Sequence, residues 1–286
     1  MSAIVQLKQG SPEWLAYRLA KRNASESAAV MGLSPWTTPY QLWQIKTGRL
    51  VQATNLAMQH GTNLEPVARL AYETRTGLVM QPLVLEDSLY SASLDGMTLQ
   101  GDLVLEIKCP MRGATSSLWQ EVVSGQVPRH YALQVQHQLM VSGADQAHLW
   151  VYGGDTGILH EIQRDEAVMT AIRLAWDAFQ IYLVSDTPPP LTAADTLVRD
   201  DAVWAGAAIA FCEAKRAAEA TAERLESARL ALVALANHPK EQGAGVSVTR
   251  FWKVGNVDYK RVPALQGVDL DGYRGKVREE VRVSVH

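Results

Sequence analysis

Cysteine is scarce here: Cys109 and Cys212 are the only two in 286 residues. They are far apart in the chain, so neither a disulfide framework nor a cysteine-ligated zinc or iron–sulfur centre is supported. No apolar run reaches the about 18 residues that a membrane span needs, and the opening "MSAIVQLKQGSPEW" lacks the pattern of a secretory signal. A reducing cytoplasm is the expected compartment, with no membrane partner. Positive charge is not in excess either, since 27 Lys and Arg stand against 30 Asp and Glu, a formal charge of -3. A chain coated in positive charge is thereby excluded, and any contact with a polyanion must come from a local basic or metal-filled groove. The 7 histidines are scattered without metal-ligand spacing, and neither His60 nor His137 reads as a ligand.

What is present is ordinary for a folded protein, with 47% hydrophobic and 20% charged residues. The length suits one large domain, or a core domain with an appended arm. "GSPEWLAYRLAKR" predicts a helix capped by Ser11 with Pro12 in its first turn. Shorter helices are expected from Ser25 to Gly32 and through "PYQLWQIKTG", and a longer one from Asn55 to Thr76 that stops at Gly77. Three strands follow in "LVMQPLVLE", "YSASL" and "LVLEIK", separated by Asp-Ser, Asp-Gly and Gly-Asp turn signals. "RHYALQVQHQLMVSG" restores helical spacing. Two more strands, "AHLWVYGG" and "GILHEIQ", lead to an amphipathic helix over 165–184.

"SDTPPPLTAADT" reads as a linker, because consecutive prolines cannot continue a helix. The expected organisation is a catalytic-type domain over 1–187, a linker over 188–200 and an accessory arm over 201–286. The arm is read as one long Ala-rich helix or a helical hairpin, followed by a small β tail with a Gly-Asn turn signal at 255–256. Nothing in it looks catalytic.

Chemistry concentrates in "LDGMTLQGDLVLEIKCP". Asp95 is placed in a turn, and Glu106 and Lys108, two apart on the next strand, share a face. Carboxylates on neighbouring strands, about 4.8 Å apart, repel unless a cation lies between them, and a hard divalent ion with oxygen ligands meets that need. The Ile107 carbonyl is a further candidate ligand, and Lys108 could hold a water beside the metal. A solvated Glu-x-Lys pair on an exposed strand is the competing explanation. The crowding of Val104, Leu105 and Ile107 weighs against it.

The pattern D-G-x9-E-I-K-C-P, preceded by "GTNLEPVARLAYE" and followed by "YALQVQHQLMV", resembles the PD-(D/E)XK nuclease superfamily. Within it, the segment from about 8 to 184 is similar to the YqaJ-type viral recombinases, the group containing phage lambda exonuclease. That resemblance implies an α/β fold, a restriction-endonuclease-like core with a central mixed sheet flanked by helices, followed here by the helical arm. It implies Asp95 and Glu106 as metal-binding carboxylates, Glu65 as the helical acid that completes the site, and Lys108 and Gln134 as the pair that holds the attacking water. Gln136 is the alternative to Gln134, and Gln138 a further inward-facing possibility. The cofactor implied is Mg²⁺, with Mn²⁺ as a substitute.

"WLAYRLAKRNASES" is similar to the family segment that binds a terminal 5′-phosphate, which assigns that role to Arg18 and Ser25, with Ser93 and Arg112 as further contacts. Lys21, Arg22 and Asn23 depart from the family pattern there. The activity implied is a 5′ to 3′ exonuclease on linear duplex DNA, leaving 3′ single-stranded tails for strand annealing. The partners implied are double-stranded DNA ends, a homotrimer of this chain and a single-strand annealing protein, in the bacterial host cytoplasm if the chain is phage-encoded. A PD-(D/E)XK endonuclease and a non-catalytic DNA-end-binding recombination module are the alternatives. Met58 is a faint candidate for a hydrophobic wedge. The tryptophans read mainly as packing residues, Trp36 in "SPWTTPY" being the one exposed enough to suspect of stacking.

Overall fold

The computed structural model describes residues 2–7, 10–51, 55–252, 262–265 and 267–268. In chain order its elements are β1 (Ala3–Ile4), α1 (Pro12–Ala20), β2 (Arg22–Asn23), α2 (Ser27–Val30), α3 (Pro39–Lys46), α4 (Leu56–Thr76), β3 (Gln81–Asp87), β4 (Tyr90–Met97) and β5 (Leu103–Lys108). These are followed by α5 (Ser117–Val123), α6 (Arg129–Ser142), β6 (Gln146–Tyr152), β7 (Gly157–Gln163), α7 (Glu166–Val184), α8 (Ala202–Leu235), β8 (Lys240–Gly243) and β9 (Val246–Thr249). The chain divides into two compact units, 1–196 and 197–286.

The first unit is a mixed sheet in the order β1-β3-β4-β5-β6-β7, with β2 parallel on β4. β3, β4 and β5 form an antiparallel meander, β6 then joins β5 in parallel, and β7 returns antiparallel. A parallel neighbour needs a crossover, and α5 with α6 supplies it. This is the mixed α/β architecture expected from the sequence.

Alternation along β5 sorts its side chains between two cores. Leu103, Leu105 and Ile107 pack with Ala68 and Tyr72 of α4, together with Trp150 and Tyr152. Val104 faces the other way, into a larger cluster with Leu133, Val135 and Leu139 of α6 and Met169, Ile172, Trp176 and Phe179 of α7. Glu106 and Lys108 share the parity of Val104 and so face α6. Among the described residues, α7 is the one helix long and apolar enough by composition to cross a membrane. Its apolar stripe is in this core instead, which identifies it as a core helix.

Caps set the helix limits as the sequence indicates: Ser11 Oγ accepts the Trp14 amide, Asn55 caps α4, and Gly77 ends α4 at φ 74°. Four local expectations change. The helix expected to start at Ser25 begins instead as a 3₁₀ turn, Ala24–Glu26, whose Glu26 carboxylate accepts from the Asn23 side chain at 2.9 Å. Asp95 is not in a turn but inside β4; the reversal comes later, at 98–101, where Gly101 adopts φ 78°. Gly96 serves packing rather than turning, because a Cβ there would lie 2.7 Å from Met80 Cβ. The proline segment belongs to the first unit, with Pro189 buried and Asp195 accepting the Thr38 hydroxyl.

In the second unit, α8 is a single helix of 34 residues with none buried. β8 and β9 form a hairpin through Ala244 and Gly245, both with positive φ. The Gly-Asn turn expected at 255–256 lies outside the described residues.

Candidate active site

The ladder between β4 and β5 holds for Met97 and Val104 and for Gly96 and Leu105, then stops. Beyond it the strands part, and the Ile107 amide would be left without a partner, a costly state for a buried donor. The Asp95 carboxylate takes that place, accepting the Ile107 N–H at 2.7 Å. Within a strand the N–H and C=O of one residue point to the same side, so the Ile107 carbonyl also faces this fork.

Glu106, 2% exposed, has donors on both oxygens. Oε1 accepts from Lys108 Nζ at 2.5 Å and from Gln134 Nε2 at 2.7 Å. Oε2 accepts from Gln138 Nε2 at 2.5 Å. Gln134 and Gln138 are four apart on α6 and therefore present one face to the strand. Gln134 Oε1 also accepts from Lys108 at 3.4 Å. Gln136, the alternative, points elsewhere: it bridges the Gln163 carbonyl and the Asp165 amide, a link between α6 and the start of α7. Tyr131, one turn before Gln134, places its ring 4.8 Å from Lys108 Nζ. Val135, one residue on from Gln134, is buried in the α6–α7 core.

Glu65 approaches from α4, on the opposite face, and is held by Arg69, which donates to Glu65 Oε1 at 2.7 Å and through Nε to the Asp95 carbonyl at 2.7 Å. One guanidinium thus ties the helix that carries one acid to the strand that carries another. Arg69 is a site residue to which the sequence reading gave no role, and Gln138, one of its inward-facing possibilities, joins Gln134 at Glu106 rather than replacing it. The i,i+4 spacing of Arg69 from Glu65, and of Gln138 from Gln134, is the signal that points to them.

The electrostatics record the crowding. Burial, then the Glu106 and Glu65 carboxylates, push Asp95 well above the ordinary aspartate range. Glu65 is raised by burial and by Glu106, with Arg69 opposing. Burial works against the Lys108 ammonium, but Glu106 and Asp95 outweigh it and hold the lysine above its usual value. Burial lifts the neighbouring Cys109 thiol to about 11, which makes it a poor nucleophile at neutral pH. Two cations among three carboxylates leave one negative charge over.

The donor set is that of a hard divalent cation. As the side chains stand, no three acids converge at ligand range among the described residues: Glu65 is turned to Arg69, and Glu106 to Lys108 and the glutamines. The oxygen chemistry of these groups would fit such an ion.

Of the proposed phosphate contacts, Arg18 and Ser25 are brought together, Arg18 Nη2 donating to Ser25 Oγ at 3.0 Å. Glu26 lies 3.6 Å from the same guanidinium, which also stacks on Trp14 at 4.7 Å. Ser93 is on β4 with the parity of Ser91 and Asp95. Tyr17 of α1 donates to Ser91 Oγ at 3.1 Å, so α1 docks at the start of the row that ends at Asp95, about 13 Å along the strand. Arg112 is exposed on the turn after β5, with no hydrogen bond or ion pair to Arg18 or Ser25 among the described residues. Met58 is partly exposed near the start of α4.

A profile of the YqaJ-like viral recombinase domain matches residues 13–145, which include every acid, lysine and glutamine of this site. The chain carries a YqaJ-like viral recombinase domain. It is 28% identical over 172 residues to the uncharacterised protein YqaJ of Bacillus subtilis (strain 168), covering 56% of this chain and 52% of that protein. The chain thus spans about half the length of that curated relative. Among solved structures it is similar to an alkaline exonuclease from Laribacter hongkongensis, with 28% identity and a TM-score of 0.54 over 62% of this chain and 94% of the other. The same enzyme in complex with dAMP matches equally well. The segment matched by the family model lies within the first unit, and α8 with its hairpin lies beyond it.

Proposed function

We propose that this protein is a Mg²⁺-dependent exonuclease that degrades one strand of linear duplex DNA from its 5′ end, leaving 3′ single-stranded tails for recombination by strand annealing. The observation that carries this reading is the fork itself, where Asp95, Glu106, Lys108 and Gln134 gather around one opening between two strands. The alkaline exonuclease neighbour and its complex with dAMP, a nucleoside monophosphate, support the reaction class.

Asp95, Glu106 and Glu65, with the Ile107 carbonyl, would hold the divalent ion. When bound, it would supply Lewis-acid polarisation of the scissile phosphate. Lys108 holds the attacking water in line with the phosphorus, its ammonium kept charged by Glu106 and Asp95. Gln134 fixes the lysine and the carboxylate relative to each other through one amide, donating to Glu106 and accepting from Lys108. Arg18 and Ser25 receive the terminal phosphate, with Ser93 and Arg112 as further contacts. A homotrimer enclosing the duplex reconciles a formal charge of -3 with a polyanionic substrate, and a single-strand annealing protein takes up the tail.

The test is digestion of end-labelled linear duplex with Mg²⁺, comparing 5′-phosphate with 5′-hydroxyl ends and linear with covalently closed circular DNA. Mononucleotide release from the phosphorylated 5′ end, with the circle intact, supports the reading. Cutting of the circle replaces it with an endonuclease, and binding without cutting replaces it with a DNA-end-binding module.

A further inference from the structure

Trp36 lies on the loop between α2 and α3 and is 67% exposed. Leaving an indole in water is unfavourable, yet the loop presents it in a fixed position. Ser34 Oγ accepts from the amides of both Trp36 and Thr37 at 3.2 Å. Thr38 then caps α3, accepting from Gln41 N at 3.1 Å, while the Gln41 side chain accepts from Thr38 N at 3.1 Å. Ordering a loop around a solvent-facing aromatic prepares a contact in advance of its ligand.

The position of that contact is set by the neighbouring rings. The indole meets His130 at 4.8 Å between centroids with planes 85° apart, and Tyr131 at 5.9 Å. His130 and Tyr131 lie 4.1 Å apart, and the Tyr131 ring is 4.8 Å from Lys108 Nζ. A continuous aromatic shelf thus runs from the lysine of the fork to the exposed indole. A perpendicular contact with His130 and high exposure leave the indole a free flat face. Arg129, next in chain to His130, is exposed and enters no ion pair among the described residues.

We infer that Trp36 stacks on an unpaired nucleobase of the strand whose phosphate lies at Lys108, making the Trp36–His130–Tyr131 shelf a base-holding subsite. The inference rests on the nuclease reading for the identity of the strand. Such a contact tolerates any sequence, because every base offers a π face, and it keeps the strand being cut apart from its complement. A membrane or a partner protein would not need the shelf to continue to the lysine.

The experiment is a binding measurement, so it stands apart from turnover. Fluorescence polarisation in Ca²⁺ would compare the full-length wild type, Trp36→Ala and Trp36→Phe on a labelled duplex with a short unpaired 5′ end. The same end would then be rebuilt with a single abasic analogue at each of its first four nucleotides. Trp36→Ala is expected to weaken binding on the order of tenfold, with Trp36→Phe close to wild type. At one abasic position the wild type should fall to the affinity of Trp36→Ala, and the variant should lose nothing further. Equal losses at all positions, or an alanine variant that binds as the wild type does, overturns the subsite; the latter is also the result expected if Trp36 contacts a protein instead. Should the wild type show this pattern and yet fail to cut the same DNA in Mg²⁺ or Mn²⁺, the subsite stands and the nuclease reading falls.

Discussion

Asp95 substitutes for a backbone partner of Ile107, its carboxylate accepting the amide at 2.7 Å where the β4–β5 ladder has ended. One side chain thereby serves the fold and the candidate chemistry at once, and two substitutions separate the roles. Asp95→Asn keeps an acceptor for the amide and removes a charge, whereas Asp95→Ala leaves the N–H unpaired. The alanine variant should be about 1–3 kcal/mol less stable than the asparagine variant in urea titrations. Because burial and the Glu106 and Glu65 carboxylates disfavour a charged Asp95, Asp95→Asn should be at least as stable as the wild type without divalent ions. Neither variant should hydrolyse DNA. Equal stability of the two would remove Asp95 from the hydrogen-bonding role.

Lys108→Ala should reduce hydrolysis by about 10²- to 10⁴-fold and leave binding of duplex ends in Ca²⁺ largely unchanged. Single-turnover rates beside binding isotherms read this directly. Full activity in the variant removes the lysine from the mechanism.

Gln138 donates to Glu106 Oε2 from inside α6 without facing solvent. Gln138→Leu should cost about 1–3 kcal/mol by leaving that oxygen without a donor, and should lower turnover by disordering Glu106. Gln136→Leu, which breaks only the link from α6 to the start of α7, should cost stability with a smaller effect on turnover in the folded fraction. Comparable turnover losses at both positions would contradict the assignment.

Burial holds His137 neutral with its pKa down at about 3, while Ser27 Oγ lies 2.7 Å from its Nδ1. A lowered folded-state value means that the unfolded chain binds the proton more readily. The stabilising effect is full above about 6.5 and is lost as pH falls toward the folded value, at up to about 1.4 kcal/mol per pH unit. Urea midpoints from pH 7 down to pH 4.5 should fall more steeply for wild type than for His137→Asn, and parallel slopes would exclude His137 as the source.

The helix starts, the meander and the linear order of acid, acid and lysine are legible because they are local: caps, period-two alternation and spacing along the chain. Misread features depend on partners distant in sequence. Asp95-Gly96 has the composition of a turn, but Met80 packing against Gly96 and the parting of β5 make it strand. Ser25 has the composition of a cap, yet Glu26 closing on Asn23 moves the helix start. Gln134 and Gln138 share a helix face by their i,i+4 spacing, but which face of α6 meets Glu106 depends on how that helix docks, which no periodicity supplies. The role of Arg69 rests on its reach to the Asp95 carbonyl, a contact between residues 26 apart in the chain.

No residue of α8 is buried, so its helicity draws chiefly on alanine propensity and on ion pairs such as Arg229 with Glu226. Such a segment melts without a sharp midpoint. Circular dichroism on heating should show a gradual slope from this helix beneath the cooperative step of the sheet-containing unit, and whatever captures α8 in a larger assembly would turn that slope into part of the step.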